Sequence, residues 1–219
     1  MTVAAPTLVL ERRILREHRL IIALDEVGRG ALAGPVAVGA AVIDAATARR
    51  RVPEGLRDSK LVPERHRPEV AARAAAFVPA SAVGWAGNDE IDEAGIMVAL
   101  GRAASRAILA ACGDVYDPAE ALVLLDGNHD YVSAVHPTPL RVRSVVKGDR
   151  DCASVSAASV VAKVARDDLM VRLHADHPEY QWERNKGYAS PEHREAIRVR
   201  GLSPLHRASW AIADAPTLF

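Results

Sequence analysis

The order of the strand-like and helix-like segments constrains the fold of this chain more than any other feature. Five short runs rich in apolar and β-branched residues are typical of strands, and they lie at 20–24, 35–43, 78–86, 121–125 and 141–146. A glycine-containing turn joins the first two runs, which predicts a hairpin. Because strands dominate the first part of the chain and helices the later part, the sequence predicts an α/β or α+β fold with a mixed sheet.

Capping residues predict three helices. The first covers 88–111 and has Asn88 as its N-cap, the second covers 153–174, and the last lies between the N-cap Ser190 and Gly201. No internal repeat or low-complexity linker divides residues 1–219, so we expect a single domain whose C-terminal quarter is helical.

Composition argues against several classes of protein. Hydrophobic residues make up 49% of the chain and charged residues 26%, which is typical of a folded globular protein. The 28 basic and 28 acidic side chains cancel, which argues against a protein that coats nucleic acid. No apolar run approaches the roughly 18 residues of a membrane helix, and no signal peptide is recognisable. We therefore expect no membrane association and a cytoplasmic location, and the two cysteines cannot form a disulfide framework.

Carboxylates follow three of the predicted strands. Asp25 and Glu26 end the first, Asp126 follows the fourth, and Asp149 follows the fifth. Like charges gathered at strand ends repel one another unless a cation neutralises them, and oxygen ligands without cysteine suit Mg²⁺ or Mn²⁺. Four such acids are enough for two ions about 4 Å apart, the arrangement used in phosphodiester hydrolysis. Acids at strand ends are also common turn residues, so their position alone leaves both interpretations open.

Adjacent residues of a regular strand point to opposite faces of the sheet. Asp25 and Glu26 can therefore serve one site only if the strand ends or bulges there, which the glycines that follow permit. The segment Gly28-Arg29-Gly30 also lets the backbone approach a ligand closely, with an arginine able to reach a phosphate. Most G-x-G segments are simple turns, and that alternative stays open at this point.

Seven motifs give the sequence a specific resemblance to a known family. They are DEVGRGALAGPVAVGAAV from residue 25, LRDSK at 56–60, LLDGN at 124–128, VVKGD at 145–149, SAASVVAKVARD at 156–167, NKGYASPEH at 185–193 and GLSPLHRASW at 201–210. In this order and at these spacings, from about residue 20 to residue 210, they resemble type 2 ribonuclease H, the ribonuclease HII family.

The resemblance implies a ribonuclease H-like fold: a central mixed five-stranded sheet flanked by helices, with a helical C-terminal portion from about residue 176. It also implies an endonuclease that cuts the RNA strand of RNA–DNA hybrids and incises 5′ of single ribonucleotides in duplex DNA. Two ions of Mn²⁺ or Mg²⁺ would leave 5′-phosphate and 3′-hydroxyl ends. The implied biological roles are the removal of ribonucleotides from DNA and of RNA primers.

Site residues follow from the resemblance position by position. The catalytic, metal-binding acids are Asp25, Glu26, Asp126 and Asp149. The element that reads the ribose 2′-hydroxyl matches Gly28, Arg29 and Gly30, and the tyrosine that packs on the sugar beside the junction matches Tyr188. Candidate phosphate contacts within the motifs are Ser59, Lys60, Lys147 and Lys186.

Several motif residues have a second interpretation. Ser59 either contacts a phosphate or caps the following helix, and Lys163 is a candidate partner for a site carboxylate. Arg166 and Asp167 are interpreted as a structural ion pair, with Asp167 as an outside candidate for the metal site. His193 and His206 are expected to be structural or close to phosphate rather than catalytic. Leu61 stands where family members often carry a second lysine, and Ala165 where threonine is usual.

Two alternative functions stay open. A junction resolvase, another ribonuclease H-fold metal nuclease, would ignore a 2′-hydroxyl. A non-catalytic nucleic-acid-binding protein would tolerate the loss of Asp25 or Asp126. We expect a monomer, and the C-terminal Leu218-Phe219 leaves open whether a sliding clamp binds the tail.

Overall fold

The computed structural model describes residues 5–210. Its strands are β1 Leu20–Val27, β2 Val36–Ile43, β3 Ala80–Ala86, β4 Ala121–Asp126 and β5 Arg141–Val145. Its helices are α1 Val9–Ile14, α2 Arg67–Phe77, α3 Asn88–Ala94, α4 Ile96–Cys112, α5 Gly148–Asp151, α6 Ala153–His174, α7 Trp182–Asn185 and α8 Pro191–Arg200. None of the helices within this range is long and apolar enough to cross a membrane.

The strands form one mixed sheet in the order β3-β2-β1-β4-β5. β1, β2 and β3 pair antiparallel, which confirms the predicted hairpin, whereas β4 runs parallel to β1 and to β5. The predicted mixed five-stranded sheet flanked by helices, with a helical C-terminal region, is confirmed. Because β1 and β4 are parallel neighbours, their carboxyl ends lie side by side at one edge of the sheet.

Helices cover both faces of this sheet. On one face, Ile22 and Leu24 of β1 pack with Leu100 and Ile108 of α4. On the other, Ile21 of β1 packs with residues of α2 and α6. A third cluster joins the C-terminal helices to the segment after β1, and it contains Leu32, Met170, Tyr180, Trp182 and Ile197.

The capping residues predicted two helices correctly and one incorrectly. α6 covers the predicted 153–174, and α8 begins after Ser190, whose hydroxyl accepts the His193 N–H. The single helix predicted at 88–111 is wrong, because Gly95 adopts φ 80° and divides it into α3 and α4. Its N-cap is Gly87 rather than Asn88. The Asn88 amide instead donates to the carbonyls of Pro204 and His206.

The fifth predicted strand is not an apolar run. β5 lies at the sheet edge with Arg141 and Arg143 exposed, as edge strands with charged residues often do. The helices α1 and α2 were not predicted. α1 has only six residues, and most apolar residues of α2 are alanines, which leave a weak periodic signal.

Both cysteines are free and buried, Cys112 at the end of α4 and Cys152 at the N-cap of α6. Burial raises the pKa of the Cys112 thiol to about 11 and that of Cys152 to about 12. Both side chains therefore remain protonated at neutral pH.

Two strand glycines let helices approach the sheet closely. A Cβ on Gly39 of β2 would collide with the Ala158 carbonyl of α6, and one on Gly84 of β3 would collide with the Ala103 carbonyl of α4. The obstacle in each case is backbone, which cannot move aside as a flexible side chain can. The glycines therefore fix the distance between the sheet and its two covering helices.

We predict that Gly39→Ala destabilises the protein by about 1–3 kcal/mol, the usual effect of overpacking a core. Urea unfolding measures the change. Gly30→Ala is the matched control, because no atom of the described residues lies within 4 Å of a Cβ at that position and its φ is not in the left-handed region. Equal stability of the two variants would contradict the close contact between α6 and β2.

Candidate active site

Asp25 and Asp126 lie side by side where β1 and β4 end. The parallel register pairs Ala23 with Leu124 and Leu24 with Leu125. Ala23 and Leu124 belong to the core cluster on the α6 face, and strand alternation places Asp25 and Asp126 on that same face. Neighbouring strands are about 4.8 Å apart, so two carboxylates meet at this edge.

Asp149 joins them through a tight turn after β5. Lys147 adopts a left-handed backbone (φ 60°), and the N–H groups of Gly148 and Asp149 then donate to Asp126 Oδ1 at 2.7 and 3.3 Å. The hydroxyl of Ser156, in the first turn of α6, donates to the Asp149 carbonyl at 2.7 Å. Asp149 is thus held between the end of β4 and the start of α6.

Glu26 occupies a different position from the one the sequence suggested. β1 continues to Val27, and its pairing with β2 runs without interruption through Asp25 and Glu26. The expected strand end or bulge is therefore absent, and strand alternation turns Glu26 toward the α4 face. Glu26 nevertheless lines the same groove as Asp25, because both residues lie close to the end of the sheet. Within residues 5–210, no three His, Cys, Asp or Glu side chains are already arranged to hold a metal ion. The four acids are neighbours without forming a closed ligand set.

The protonation behaviour of the acids agrees with a cation site. Burial raises the pKa of Asp25 well above its usual range, and the charges of Asp126, Glu26 and Asp149 raise it further, while the Ser159 hydroxyl acts in the opposite direction. Burial also raises the pKa values of Glu26 and Asp149, to which the Asp126 charge adds. Clustered, partly desolvated carboxylate oxygens are a donor set that fits Mg²⁺ or Mn²⁺.

Lys60 faces Asp149 from the rim of the site. Its Nζ lies 3.6 Å from Asp149 Oδ2, and its side chain is 77% exposed. Partial burial lowers the pKa of its ammonium group, but the charges of Asp58, Asp25 and Asp149 outweigh this and raise it. An exposed lysine at the rim of an acidic site is well placed to meet a phosphate.

A groove of about 430 Å³ opens along the end of β1. Its lining includes most of the predicted site residues, namely Asp25, Glu26, Gly28, Arg29, Gly30, Ser59, Lys60 and Tyr188. Tyr188 crosses from the C-terminal part of the chain, and its hydroxyl accepts the Gly28 N–H at 3.1 Å. The guanidinium of Arg166 lies 5.4 Å and the ammonium of Lys163 5.7 Å from the Tyr188 ring centre. These contacts hold the ring beside the glycine-containing loop.

The four other residues predicted to contact the substrate differ in their burial and in their contacts within the protein. Arg29 Nη1 lies 3.7 Å from Glu26 Oε1. The Ser59 hydroxyl is buried and accepts from Ser159, and the N-cap of the short turn there is Asp58, so the capping interpretation of Ser59 is wrong. Lys186 is buried and pairs with Glu64 at 3.0 Å. Lys147 is exposed, and it does not line the groove.

Asp167 and Arg166 are not an ion pair. Asp167 is buried and pairs with Lys163 at 2.7 Å and with Arg67 at 3.3 Å. Lys163 thus binds Asp167 rather than one of the four site acids. Since two cations neutralise Asp167, its carboxylate is engaged outside the cluster formed by Asp25, Asp126 and Asp149.

Two buried arginines support the loop that follows β1, and sequence reasoning did not identify this role. Arg207 donates to the carbonyls of Arg29, Gly28 and Gly34 at 2.6–3.2 Å. Arg166 donates to the carbonyls of Pro35, Lys186 and Ala33 at 2.9–3.2 Å. Both side chains are fully buried, and neither has a carboxylate within 4.0 Å among residues 5–210. Burial and the nearby Arg166 charge lower the Arg207 pKa to about 9.

His193 and His206 have a structural role. The Tyr188 carbonyl lies 2.8 Å from His193 Nδ1, so this nitrogen carries the proton, and His193 Nε2 accepts from the Trp182 indole at 3.1 Å. His206 Nδ1 accepts the Ser203 N–H, which leaves its Nε2 to donate to His193 at 3.0 Å. Burial lowers both pKa values, that of His206 to about 4. The pair is neutral and fixes the backbone of Tyr188.

The N-terminal segment clamps the turn that carries Asp149. Thr7 donates its N–H to the Asp151 carbonyl at 3.0 Å, and its own carbonyl accepts the Ala153 N–H at 2.9 Å. Glu11 is fully buried, and its Oε1 accepts the N–H and the hydroxyl of Ser154 at 3.0 and 2.8 Å. A carboxylate here caps the N-terminus of α6, where the helix dipole favours negative charge.

A sheet of this order, with carboxylates near the ends of its two parallel central strands, defines a protein of the ribonuclease H-like fold with an acidic site. The family model described as Ribonuclease HII matches residues 22–213. The chain therefore belongs to the ribonuclease HII family, and this membership supports endonuclease activity of the ribonuclease H type.

Known relatives agree with this assignment. A ribonuclease HII of Streptomyces coelicolor is 45% identical over 212 residues, which cover 96% of this chain and 85% of that protein. The ribonuclease HII of Archaeoglobus fulgidus, solved as a PCNA complex, matches with a TM-score of 0.67 at 23% identity, over 87% of this chain and 93% of that chain. Bst-RNase HIII, solved in complex with Mn²⁺, matches with a TM-score of 0.71 at 21% identity. The match covers 97% of this chain and 73% of that chain. These two structures share the fold.

We predict that Glu11→Gln removes part of the pH dependence of stability. Burial raises the pKa of Glu11, so the folded protein binds its proton more tightly than the unfolded chain does. Stability is then lost as pH rises from the unfolded pKa of about 4.3 through the folded pKa. The Gln variant keeps the acceptor for Ser154 without this loss, so its advantage in unfolding free energy grows as pH rises.

Urea unfolding between about pH 4 and pH 8 measures this difference. Glu17→Gln, at an exposed position just beyond α1, controls for the removal of one negative charge. Parallel stability curves for wild type and Glu11→Gln would count against a buried Glu11 with a raised pKa.

Proposed function

We propose that this protein hydrolyses the RNA strand of RNA–DNA hybrids and incises 5′ of single ribonucleotides in duplex DNA. One observation carries the proposal: the Tyr188–Gly28 hydrogen bond places an aromatic ring and a glycine-containing loop in the same groove as Asp25 and Glu26. A nuclease that only needed to bind phosphates would have no use for this juxtaposition. It suits an enzyme that tests a sugar before cutting beside it.

The acids Asp25, Glu26, Asp126 and Asp149 are the proposed ligands of Mn²⁺ or Mg²⁺. When bound, a pair of such ions supplies an activated water and stabilises the leaving 3′ oxygen, so that the products carry 5′-phosphate and 3′-hydroxyl ends. The Mn²⁺ complex of the Bst-RNase HIII relative supports this choice of ion. The raised pKa of Asp25 supports it as well, since a cation would remove the repulsion among the acids.

The remaining site residues bind and select the substrate in this proposal. Gly28 has φ 85°, and its N–H donates to the Tyr188 hydroxyl. The following backbone N–H groups, of Arg29 and Gly30, are then the ones that donate to the 2′-hydroxyl. The Tyr188 ring stacks on the neighbouring sugar. Lys60, exposed beside Asp149, contacts the phosphate at the cut. Ser59, Lys147 and Lys186 stay weaker candidates for the substrate backbone.

Partners and location extend the proposal. The PCNA complex of the Archaeoglobus fulgidus relative supports a sliding clamp as partner. The C-terminal Leu218-Phe219, on which the clamp prediction rests, lies outside the described residues. A monomeric, cytoplasmic, single-domain enzyme that removes ribonucleotides from DNA and RNA primers remains our expectation.

The deciding experiment uses duplex DNA with one internal ribonucleotide and Mn²⁺ or Mg²⁺. Wild type is expected to incise 5′ of the ribonucleotide, and removal of the metal with EDTA to abolish the cut. Asp126→Asn is expected to lower the rate by at least about a hundredfold, because it removes a proposed metal ligand. Asp114→Asn, an exposed residue beyond α4, is the control.

Three results would each contradict the proposal. Equal cutting of an all-DNA duplex would reject the substrate. Cutting of a four-way junction without regard to ribose would favour a resolvase. Binding without cutting, unchanged by Asp126→Asn, would favour a non-catalytic protein.

We also predict that Tyr188→Ala weakens the preference for a ribonucleotide junction by about tenfold, because base or sugar stacking contributes about 1–3 kcal/mol. Tyr188→Phe keeps the ring and loses only the acceptor for the Gly28 N–H. The loss of one hydrogen bond is expected to weaken the same preference by about fivefold. The measured quantity is kcat/KM at a single ribonucleotide relative to the interior of a long hybrid. As a control, Mn²⁺ should raise the melting temperature of both variants equally. An unchanged junction preference would contradict the role of Tyr188 in selecting the ribonucleotide.

A further inference from the structure

A cleft of about 740 Å³ lies between the N-terminal segment and the loop before the LRDSK motif. Its charged lining consists of Arg12, Arg50, Arg51 and Arg57, with Glu54 as the acidic residue among them. We call it the arginine cleft. The whole chain has no formal net charge, so this concentration of positive charge is a local feature rather than a property of the entire surface.

All four arginines are exposed, and hydrogen bonds fix two of them. Arg12 Nε donates to the Ala48 carbonyl at 2.8 Å. Arg50 Nη1 donates to the Phe77 carbonyl at 2.6 Å, and its guanidinium lies 5.4 Å from the Phe77 ring centre. Arg51 and Arg57 are exposed, and no carboxylate of residues 5–210 forms a salt bridge with either. Fixed guanidinium groups lose little entropy when an anion binds, and free ones keep their charge available.

Both walls of the cleft are linked to residues close to the active site. On one wall, Thr7 donates its N–H to the carbonyl of Asp151, two residues after Asp149. On the other, Arg57 precedes Lys60 by three residues, a distance of at most about 11 Å along the chain. Lys60 Nζ lies 3.6 Å from Asp149 Oδ2. The arginine cleft therefore begins on the Asp149 side of the site.

A nucleic-acid strand fits this spacing. Phosphates follow one another about every 3.4 Å along the axis of each strand of a duplex, so a strand that passes Lys60 brings further phosphates within reach of Arg57 and Arg51. We propose that the arginine cleft binds the phosphate backbone of the duplex that flanks the cut. This inference rests on the proposed function, because it takes the substrate to be a duplex held at Asp149 and Lys60.

The test compares two double variants on duplexes of different length. R51A/R57A removes two exposed charges from the cleft. R19A/R141A also removes two exposed positive charges, one just before β1 and one at the start of β5, and is the control. Arg19 pairs with Glu120 at 3.1 Å, whereas Arg141 forms no salt bridge with residues 5–210. The substrates are a short duplex of about 8 base pairs around one ribonucleotide and two longer duplexes, extended by about 10 base pairs on the 5′ or the 3′ side. Because each base pair adds about 3.4 Å, only the extended duplexes reach past the site.

Binding is measured by fluorescence anisotropy in EDTA, so that no cleavage occurs, over a range of salt concentrations. R51A/R57A is expected to weaken binding of one extended duplex about tenfold near 0.1 M salt. It should also lower the slope of log K against log salt by about 0.9 for each phosphate that the cleft no longer neutralises. Binding of the short duplex and melting temperature should match those of R19A/R141A.

The other outcomes overturn the inference. If R51A/R57A and R19A/R141A behave alike on every duplex, or if R51A/R57A weakens the short and extended duplexes equally, the cleft does not hold flanking duplex. Failure of wild type to incise the ribonucleotide duplex in Mn²⁺ would overturn the proposed function as well. The incision assay therefore separates the two failures.

Discussion

The close contact between α6 and the central strands is the constraint on which the site depends. Gly39 leaves no space for a side chain, so the α6 backbone meets β2 directly. At this distance the Ser159 hydroxyl lies beside Asp25, and Ser156 holds the carbonyl of Asp149. Two turns further along, Arg166 reaches under the loop after β1. One helix thus positions carboxylates that repel one another, and the free energy that opposes this repulsion comes from the apolar core on both faces of the sheet.

The loop after β1 is organised by cations rather than by secondary structure. Arg166 and Arg207 bind its carbonyls from inside. The Gly28 N–H donates to Tyr188, and the N–H groups from Leu32 to Gly34 donate to carbonyls of the C-terminal part of the chain. A guanidinium offers five donors in a rigid plane, which suits it to gather several carbonyls at once. Burying it without a carboxylate is unfavourable, and the many hydrogen bonds compensate. The positive charge beneath the loop also makes its outer surface attractive to a polyanion.

Sequence reasoning predicted the parts that depend on local chemistry. Caps located α6 and α8, and apolar runs located four strands, because these signals lie within a few residues of the element they define. The division at Gly95 was missed, since a glycine within a helical pattern does not reveal its φ. The positions of Asp25, Asp126 and Asp149 followed from strand ends. The pairing of Lys186 with Glu64 joins residues 122 positions apart, and that of Ser159 with Ser59 joins residues 100 positions apart, which no local pattern shows.

The buried cysteines have a practical consequence. Thiol-reactive dyes attack the thiolate, and burial keeps both Cys112 and Cys152 in the thiol form and out of contact with reagents. A cysteine introduced on the surface would react first at neutral pH. The native protein is thus suited to site-specific labelling for fluorescence or cross-linking without prior removal of its own sulfhydryl groups.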